Sequence, residues 1–519
     1  MARNRVLMLL AGFTALTTAS PSFADTYLDG QLIAEPRIFY NADFLKGNAN
    51  TDLAHILPRL WLGVGYKGED YAEAYFRLHT LGASASLGQS SYGGTQPGGT
   101  SENRHTPSFT QAWFDVKMPG TPVHWRVGRF AQSLGHGFYL NTGPFGGDGM
   151  KLWAPIGRAR VDLGYMKMGD LGDFSRDIDQ YFLQASSPIA DGHQISAAWQ
   201  WFDGRNLNIN ANHSSREGFI SHIFTVWDPS VTFDSQIWSI GLAADGLVPM
   251  GGFSLSYRAE AVYAGGQLSA DFDKVHLEGT TQKPEKLSGF ALLGGMTANF
   301  GGMATVTLEG AYGSGDEKKK IDAANFGSGT RYEGFKIPMA QWGRSVWLNE
   351  LSFVPNIFTG DPFDFGAGSG RGQNGEGART AYWVQRGLEN LIYLTAGATY
   401  SPITPITLSL DVFKFWVAET TPGGGFDPDS QIIYHKRQSS DLGWEIDLTA
   451  KWVFNKNFSV SGSFAPWIPG RYFQVPKNSR FVPNPAVYDP HDPTSFSEVE
   501  ETSDPRWGYM LRSYCVFTF

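Results

Sequence analysis

The stretch Tyr71 to Thr80, YAEAYFRLHT, divides into two sets of alternate residues. Ala72, Ala74, Phe76 and Leu78 form one set, and Glu73, Tyr75, Arg77 and His79 the other. Successive side chains of an extended chain point to opposite faces, so this segment has one dry face and one wet face. The pattern returns as Leu60, Leu62, Val64 and Tyr66 against Arg59, Trp61, Gly63 and Gly65. It returns again as Ala159, Val161, Leu163 and Tyr165 against Arg158, Arg160 and Asp162, and as Leu442, Trp444, Ile446 and Leu448 against Glu445, Asp447, Thr449 and Lys451. Such runs last about ten residues, enough to cross a bilayer at a tilt. A soluble sandwich also alternates, but turns its apolar faces inward.

The connections decide between these two readings. Tight links fall at 67–70, 118–122, 154–158, 188–193, 247–252, 300–303, 401–405 and 455–457. Longer, mostly polar stretches separate them, at 83–106, 135–148, 203–234, 267–286, 314–384, 419–440 and 468–504. Backbone polar groups in lipid must all be paired, which a closed sheet achieves, and membrane barrels have short turns at one end and long loops at the other. The chain is therefore expected to form an all-β, antiparallel transmembrane barrel of about 18 strands, with 16 to 20 allowed. Its first strand is expected near 30–42 and its last at 505–519.

The N-terminus fits such an exported chain. Arg3 and Arg5 precede the apolar run LMLLAGFTALTTA, and Ser22 and Ala24 offer small residues ahead of Asp25. Residues 1–24 thus read as a signal peptide and 25–519 as the barrel. No later run is long and apolar enough for a spanning helix. The formal charge of −9 argues against nucleic acid as a partner, and Cys515 as sole cysteine rules out an internal disulfide. The closing WGYMLRSYCVFTF alternates as well. Phe519, Phe517, Cys515, Leu511 and Tyr509 are expected to face lipid and Arg512 the lumen, with this strand pairing to the first near Ile33 to Tyr40. A terminal phenylalanine resembles the signal read by outer-membrane insertion machinery. The expected surroundings are therefore outer-membrane lipid and lipopolysaccharide, with a periplasmic partner as a further possibility.

Inward positions carry the candidate chemistry. The early strands contribute Arg37, Arg59, Arg77, Arg126, Arg129, Lys151, Arg158 and Arg160 against Glu35, Glu73, Asp115 and Asp162; later ones add Arg258 and Arg512. Guanidinium pairs with carboxylate and phosphate and keeps its charge when partly desolvated, so such residues suit an anion path. Equally, wall arginines pair with neighbouring acids to hold a polar lumen together. Both readings stand at this point, as do a general diffusion porin and a barrel that serves as a scaffold or sheath. No G-x-S-x-G, catalytic triad, cofactor motif or metal-ligand spacing occurs, so neither an enzyme nor a cofactor is expected. The glycine-rich 366–377 reads as a loop, 314–384 as a candidate gate, and the acids from Asp489 to Asp504 as a solvated surface.

The segment Val127 to Trp153 resembles the bacterial alginate export family and related porin-like outer-membrane proteins. Gly128, Arg129, Gly135, Asp148, Gly149 and Leu152 carry the likeness, while Phe130 stands where that family usually has glutamine. The resemblance implies a conduit with a basic lumen that passes an acidic polysaccharide or other anion. It also implies that Arg129 contacts the lumen, with Asp148 as its local partner.

Overall fold

The computed structural model describes residues 24–40, 53–68, 72–79, 108–137, 140–141, 147–170, 177–208, 232–271, 285–315, 331–332, 391–419, 425–427, 432–434, 439–471, 480–481, 497–498 and 507–519. Eighteen strands build the wall: β1 (Ala24–Tyr40), β2 (Leu53–Gly68), β3 (Ala72–His79), β4 (Ser108–Lys117), β5 (His124–Phe130) and β6 (Gly147–Ile156). They continue as β7 (Ala159–Asp170), β8 (Asp177–Ala190), β9 (His193–Asn208), β10 (Thr232–Met250), β11 (Phe253–Asp271) and β12 (Glu285–Phe300). The last six are β13 (Ala304–Gly313), β14 (Leu391–Ile403), β15 (Ile406–Val417), β16 (Asp441–Asn455), β17 (Phe458–Pro469) and β18 (Gly508–Thr518).

Every neighbour in this order pairs antiparallel, and β1 closes on β18 from Gln31↔Thr518 to Tyr40↔Tyr509. Closure leaves no unpaired edge, the condition for placing a sheet in hydrocarbon. The expected barrel, its strand number and its closing pair are thus present. The first strand starts earlier than expected because its pairing with β2 continues down to Ala24↔Gly68.

One end is trimmed close. Links there are 69–71, 118–123, 157–158, 191–192, 251–252, 301–303, 404–405 and 456–457, and Gly192 at φ 75° follows Asp191 in a tight hairpin turn that needs a positive φ. At the other end the links run from 171–176 to 314–390. Two of these long links share a small sheet of Gly425–Asp427, Ile432–Tyr434, Arg480–Phe481 and Ser497–Glu498, and Arg331–Tyr332 adds in parallel beside β12.

The two faces differ as the alternation requires. Outward stand Leu28, Leu62, Phe76, Phe114, Leu152, Leu163, Leu183, Ile240, Leu292, Leu308, Leu394, Leu410 and Leu448, all exposed. Inward stand Asp115, Lys151, Asp162, Gln180, Gln200, Glu260, Glu309, Glu445 and Asp447, all buried. An apolar exterior around a polar interior inverts a soluble protein and suits a lipid solvent. Leu442 departs from its expected lipid face and is fully buried. The pairing slips there, with Phe415 opposite Gly443 and Trp416 opposite Asp441, so a bulge at Gly443 (φ 120°) turns Leu442 out of phase.

Candidate functional site

The lumen wall formed by β3 to β7 carries a connected set of charges. Asp115 on β4 is the hub: it accepts from Arg126 Nε at 3.0 Å and from Trp153 Nε1 at 2.8 Å, and lies 2.8 Å from His124 Nδ1. Arg126 lies over the Trp113 ring, its Cζ 3.8 Å from the centroid. Trp153 is stacked by His124 on one side at 3.8 Å, and the Arg160 guanidinium sits 4.3 Å from its centroid. Arg160 in turn donates through Nε and Nη2 to the two oxygens of Asp162, each at 2.9 Å. Lys151 completes the chain, 3.4 Å from Asp162 and donating to Gln132 Oε1 at 3.0 Å. Farther along, Arg258 on β11 donates to Glu309 on β13, which also accepts from Tyr393 at 2.7 Å.

Three of these pairs share one orientation. In the Arg160–Asp162 pair the cation is 45% exposed and the acid 7%; in Arg258–Glu309 the figures are 41% and 2%, and in Arg126–Asp115 they are 19% and 4%. The carboxylates are recessed into the wall and the guanidinium groups face the lumen. Two pairs do not follow it: Lys151 and Asp162 are each 7% exposed, and Glu73, 4.0 Å from Arg126, is more exposed than its partner. At these three pairs the wall therefore presents its positive group to a passing solute.

A segment crosses this space. Beyond β5 the chain turns inward: Phe130 and Leu134 are fully buried, and Ser133–Leu134 pairs with Leu140–Asn141. His136 N donates to Glu260 Oε2 on β11 at 2.9 Å, and its Nε2 donates to the Ala244 carbonyl on β10 at 3.2 Å. Strands β6 to β9 lie between β5 and these two partners in the sheet order, so residues 131–137 bridge two distant parts of the wall. Gly135 is packed against the same carboxylate; a Cβ there would come within 2.4 Å of Glu260 Oε1. On the opposite side, the inward rings of Tyr393, Phe413, Phe415 and Trp467 stack in series at 5.2 to 6.4 Å and are buried. The lumen is thus narrowed by an inward segment and by covered aromatic wall.

The sequence-expected residues separate into groups. Arg77, Arg126, Arg160, Arg258 and Arg512 all face inward; Arg77 donates to Thr110 Oγ1 at 3.2 Å and lies over Trp61, and Arg512 lies over Tyr514. Arg59 is in β2 opposite Ile33, but its side chain lies outside the described residues. Two expectations are corrected. Arg158 is in the two-residue turn after β6 and is exposed, so it belongs to the rim and not to the wall. Arg129 does bind Asp148, donating through Nε at 2.7 Å and also through Nη2, but on the outer face. It alternates with exposed Trp125, and Asp148 with exposed Met150 and Leu152, so this pair points away from the lumen. The expected gate at 314–384 and the acids near 489–504 lie outside the described residues, except for 314–315, 331–332 and 497–498. The inward segment at 131–137 was missed because its glycines and polar residues read as an ordinary loop; the run Phe130, Gln132, Leu134, buried at every second position, was the available signal. Among the described residues no group of His, Cys, Asp and Glu is placed to hold a metal.

Fold and wall together define a closed antiparallel β-barrel with an apolar exterior and a charged, narrowed interior. No protein-family model and no curated protein matches the chain, so its resemblance to the alginate export family rests on residues 127–153. Among solved structures it is similar to the outer membrane protein OprD of Pseudomonas aeruginosa, at 10% identity and a TM-score of 0.46, covering 96% of this chain and 94% of that one. It is similar to OccK2 (OpdF) of the same organism, at 8% identity and 0.47, covering 96% and 97%. A third similar structure is a loop L8 deletion mutant of OmpT, an outer membrane protein of Vibrio cholerae, at 7% identity and 0.38, covering 96% and 100%.

Proposed function

We propose that the protein is an outer-membrane channel that passes hydrophilic solutes and prefers anions. The supporting observation is the orientation of the wall pairs: Asp115, Asp162 and Glu309 are recessed while Arg126, Arg160 and Arg258 face the lumen. A recessed carboxylate holds its arginine in place and leaves it donors for a solute, because a guanidinium has five N–H donors and a bidentate pair uses two. A solute carboxylate or phosphate then finds N–H donors already aimed, without first displacing the wall's own acids. Selection needs no chemical step; it comes from lumen charge and from the width left by residues 131–137. An acidic polysaccharide, suggested by the alginate-export resemblance, is one such anion, and a small carboxylate is another.

Purified protein in planar bilayers tests this. Under a salt gradient the reversal potential should have the sign of anion preference, and Arg160→Ala with Arg258→Ala should move it toward zero. The inward segment and covered aromatic wall favour one alternative, a sealed barrel acting as a scaffold, and absence of conductance would select it.

A further inference from the structure

The outward Arg129–Asp148 pair is the start of a longer feature. In the register, Asp148 on β6 stands opposite Lys167 on β7, and Lys167 stands opposite Asp179 on β8. All four share the outer face: Asp148 alternates with Met150, Lys167 with Leu163, and Asp179 with Tyr181 and Leu183, each of these neighbours exposed. Four adjacent strands therefore present a row of alternating charge, Arg129, Asp148, Lys167, Asp179, to the surroundings of the barrel. Asp179 is tied from the side by the Tyr165 hydroxyl at 2.7 Å, and Asp148 by two guanidinium donors.

The height of the row says what surrounds it. Asp148 and Lys167 are each eight residues above the short turn at 157–158, counting from Ile156 and Ala159. Strands rising about 3.3 Å per residue at a tilt near 40° gain roughly 20 Å over that distance. The outward apolar band of such barrels is about 25 Å tall, so Asp148 and Lys167 sit near its upper end on the long-loop side, while Arg129, five residues above its own turn counting from His124, stands lower on the wall and brings its guanidinium to Asp148. Lys414, also eight residues above its turn counting from Ile406, marks the same level elsewhere on the barrel; it binds Asp441 and is boxed in by Trp416 and Trp444 at 5.5 and 4.9 Å. That second cation is covered by rings, whereas Asp148 is 54% exposed and Arg129 26%.

We propose that the row is a docking site for the phosphate-bearing headgroup of an outer-leaflet lipid, with Arg129 and Lys167 donating to the phosphate. Charge and position carry the choice of partner. The two cations stand on alternate members of the row, on strands separated only by β6, which suits several oxygens of one headgroup. Asp148 holds Arg129 through two guanidinium donors, so little of that side chain's freedom is lost on binding. A site on the lipid-facing side draws its phosphate from lipid, not from solution. This rests on the membrane-barrel reading and not on channel activity.

The test is retention of lipid by the full-length protein. Wild type, Lys167→Ala and the double variant Arg129→Ala, Lys167→Ala are extracted from outer membranes in mild detergent and assayed for organic phosphate and by native mass spectrometry. Wild type should keep a phosphorylated lipid that the double variant loses by roughly tenfold, with single-channel conductance unchanged. Equal retention in all three overturns the proposal. Should the double variant fail to fold, Lys167→Ala is compared with wild type in vesicles of phosphatidylcholine with and without a phosphomonoester lipid. Thermal stabilisation of wild type alone by that lipid supports the site; equal stabilisation, or equal protection by inorganic phosphate, contradicts it. A wild-type protein that retains the lipid but does not conduct, with the double variant losing the lipid, would count against the channel and leave the docking site standing.

Discussion

Asp115 shows how single residues set the lumen surface. Three side chains converge on its buried carboxylate, so Asp115→Ala leaves Arg126 part-buried without its acid, and breaking such a pair costs about 3–5 kcal/mol. The folded barrel of this variant should unfold at lower urea concentration, read by the mobility shift of unheated samples on gels; an unchanged midpoint would mean that Arg126 is held by Trp113 alone. Trp153→Ala should disturb less of the structure but free Arg160 from its ring and shift ion preference, measurable as a changed reversal potential. Alternation alone located Arg126, Arg160, Arg258 and Arg512, because the side-chain period of a strand is rigid. Arg126 and Arg129 were both expected to face inward, yet three residues apart on a regular strand they must be opposite, so parity overrules the expectation for Arg129. Arg158 failed for another reason: the turn after β6 contains only two residues, and Arg158 is one of them.

Among the elements, the segment 131–137 and the β1–β18 seam matter most. Glu260 is the catch that holds the segment against the far wall, through His136 N and its packing on Gly135. Glu260→Ala should release that contact and raise conductance by roughly twofold at fixed salt, whereas unchanged conductance would show that the segment does not limit flow. At the seam, Phe519 and Gly30 exchange two backbone hydrogen bonds of 3.1 Å, and the Phe519 ring covers the place where a Gly30 Cβ would stand. Gly30→Leu should displace that ring and lower the yield of folded barrel in detergent refolding, while Gly462→Leu, whose position is open, should not. The strands themselves were readable from dry and wet faces. The tucked segment was not, because its position depends on a carboxylate 124 residues away, and no local pattern encodes such a contact.

At the scale of the whole molecule, short and long links taking turns point to an even, closed antiparallel barrel, and WGYMLRSYCVFTF closes it by pairing with β17 on one side and the first strand on the other. What the sequence could not reveal is how charge is layered across the wall. Counting arginines and acids suggests a basic or a neutral lumen depending on which strands are counted; depth adds what counting lacks, with the carboxylate set back and the guanidinium forward at Arg126–Asp115, Arg160–Asp162 and Arg258–Glu309. That layering is the central claim, and the reversal potential of the wild-type channel under a potassium chloride gradient tests it most directly. The account predicts a potential of the sign given by chloride permeating faster than potassium, moving toward zero in the Arg160→Ala, Arg258→Ala variant. A cation-selective potential, or one that the double substitution leaves unchanged, would contradict it.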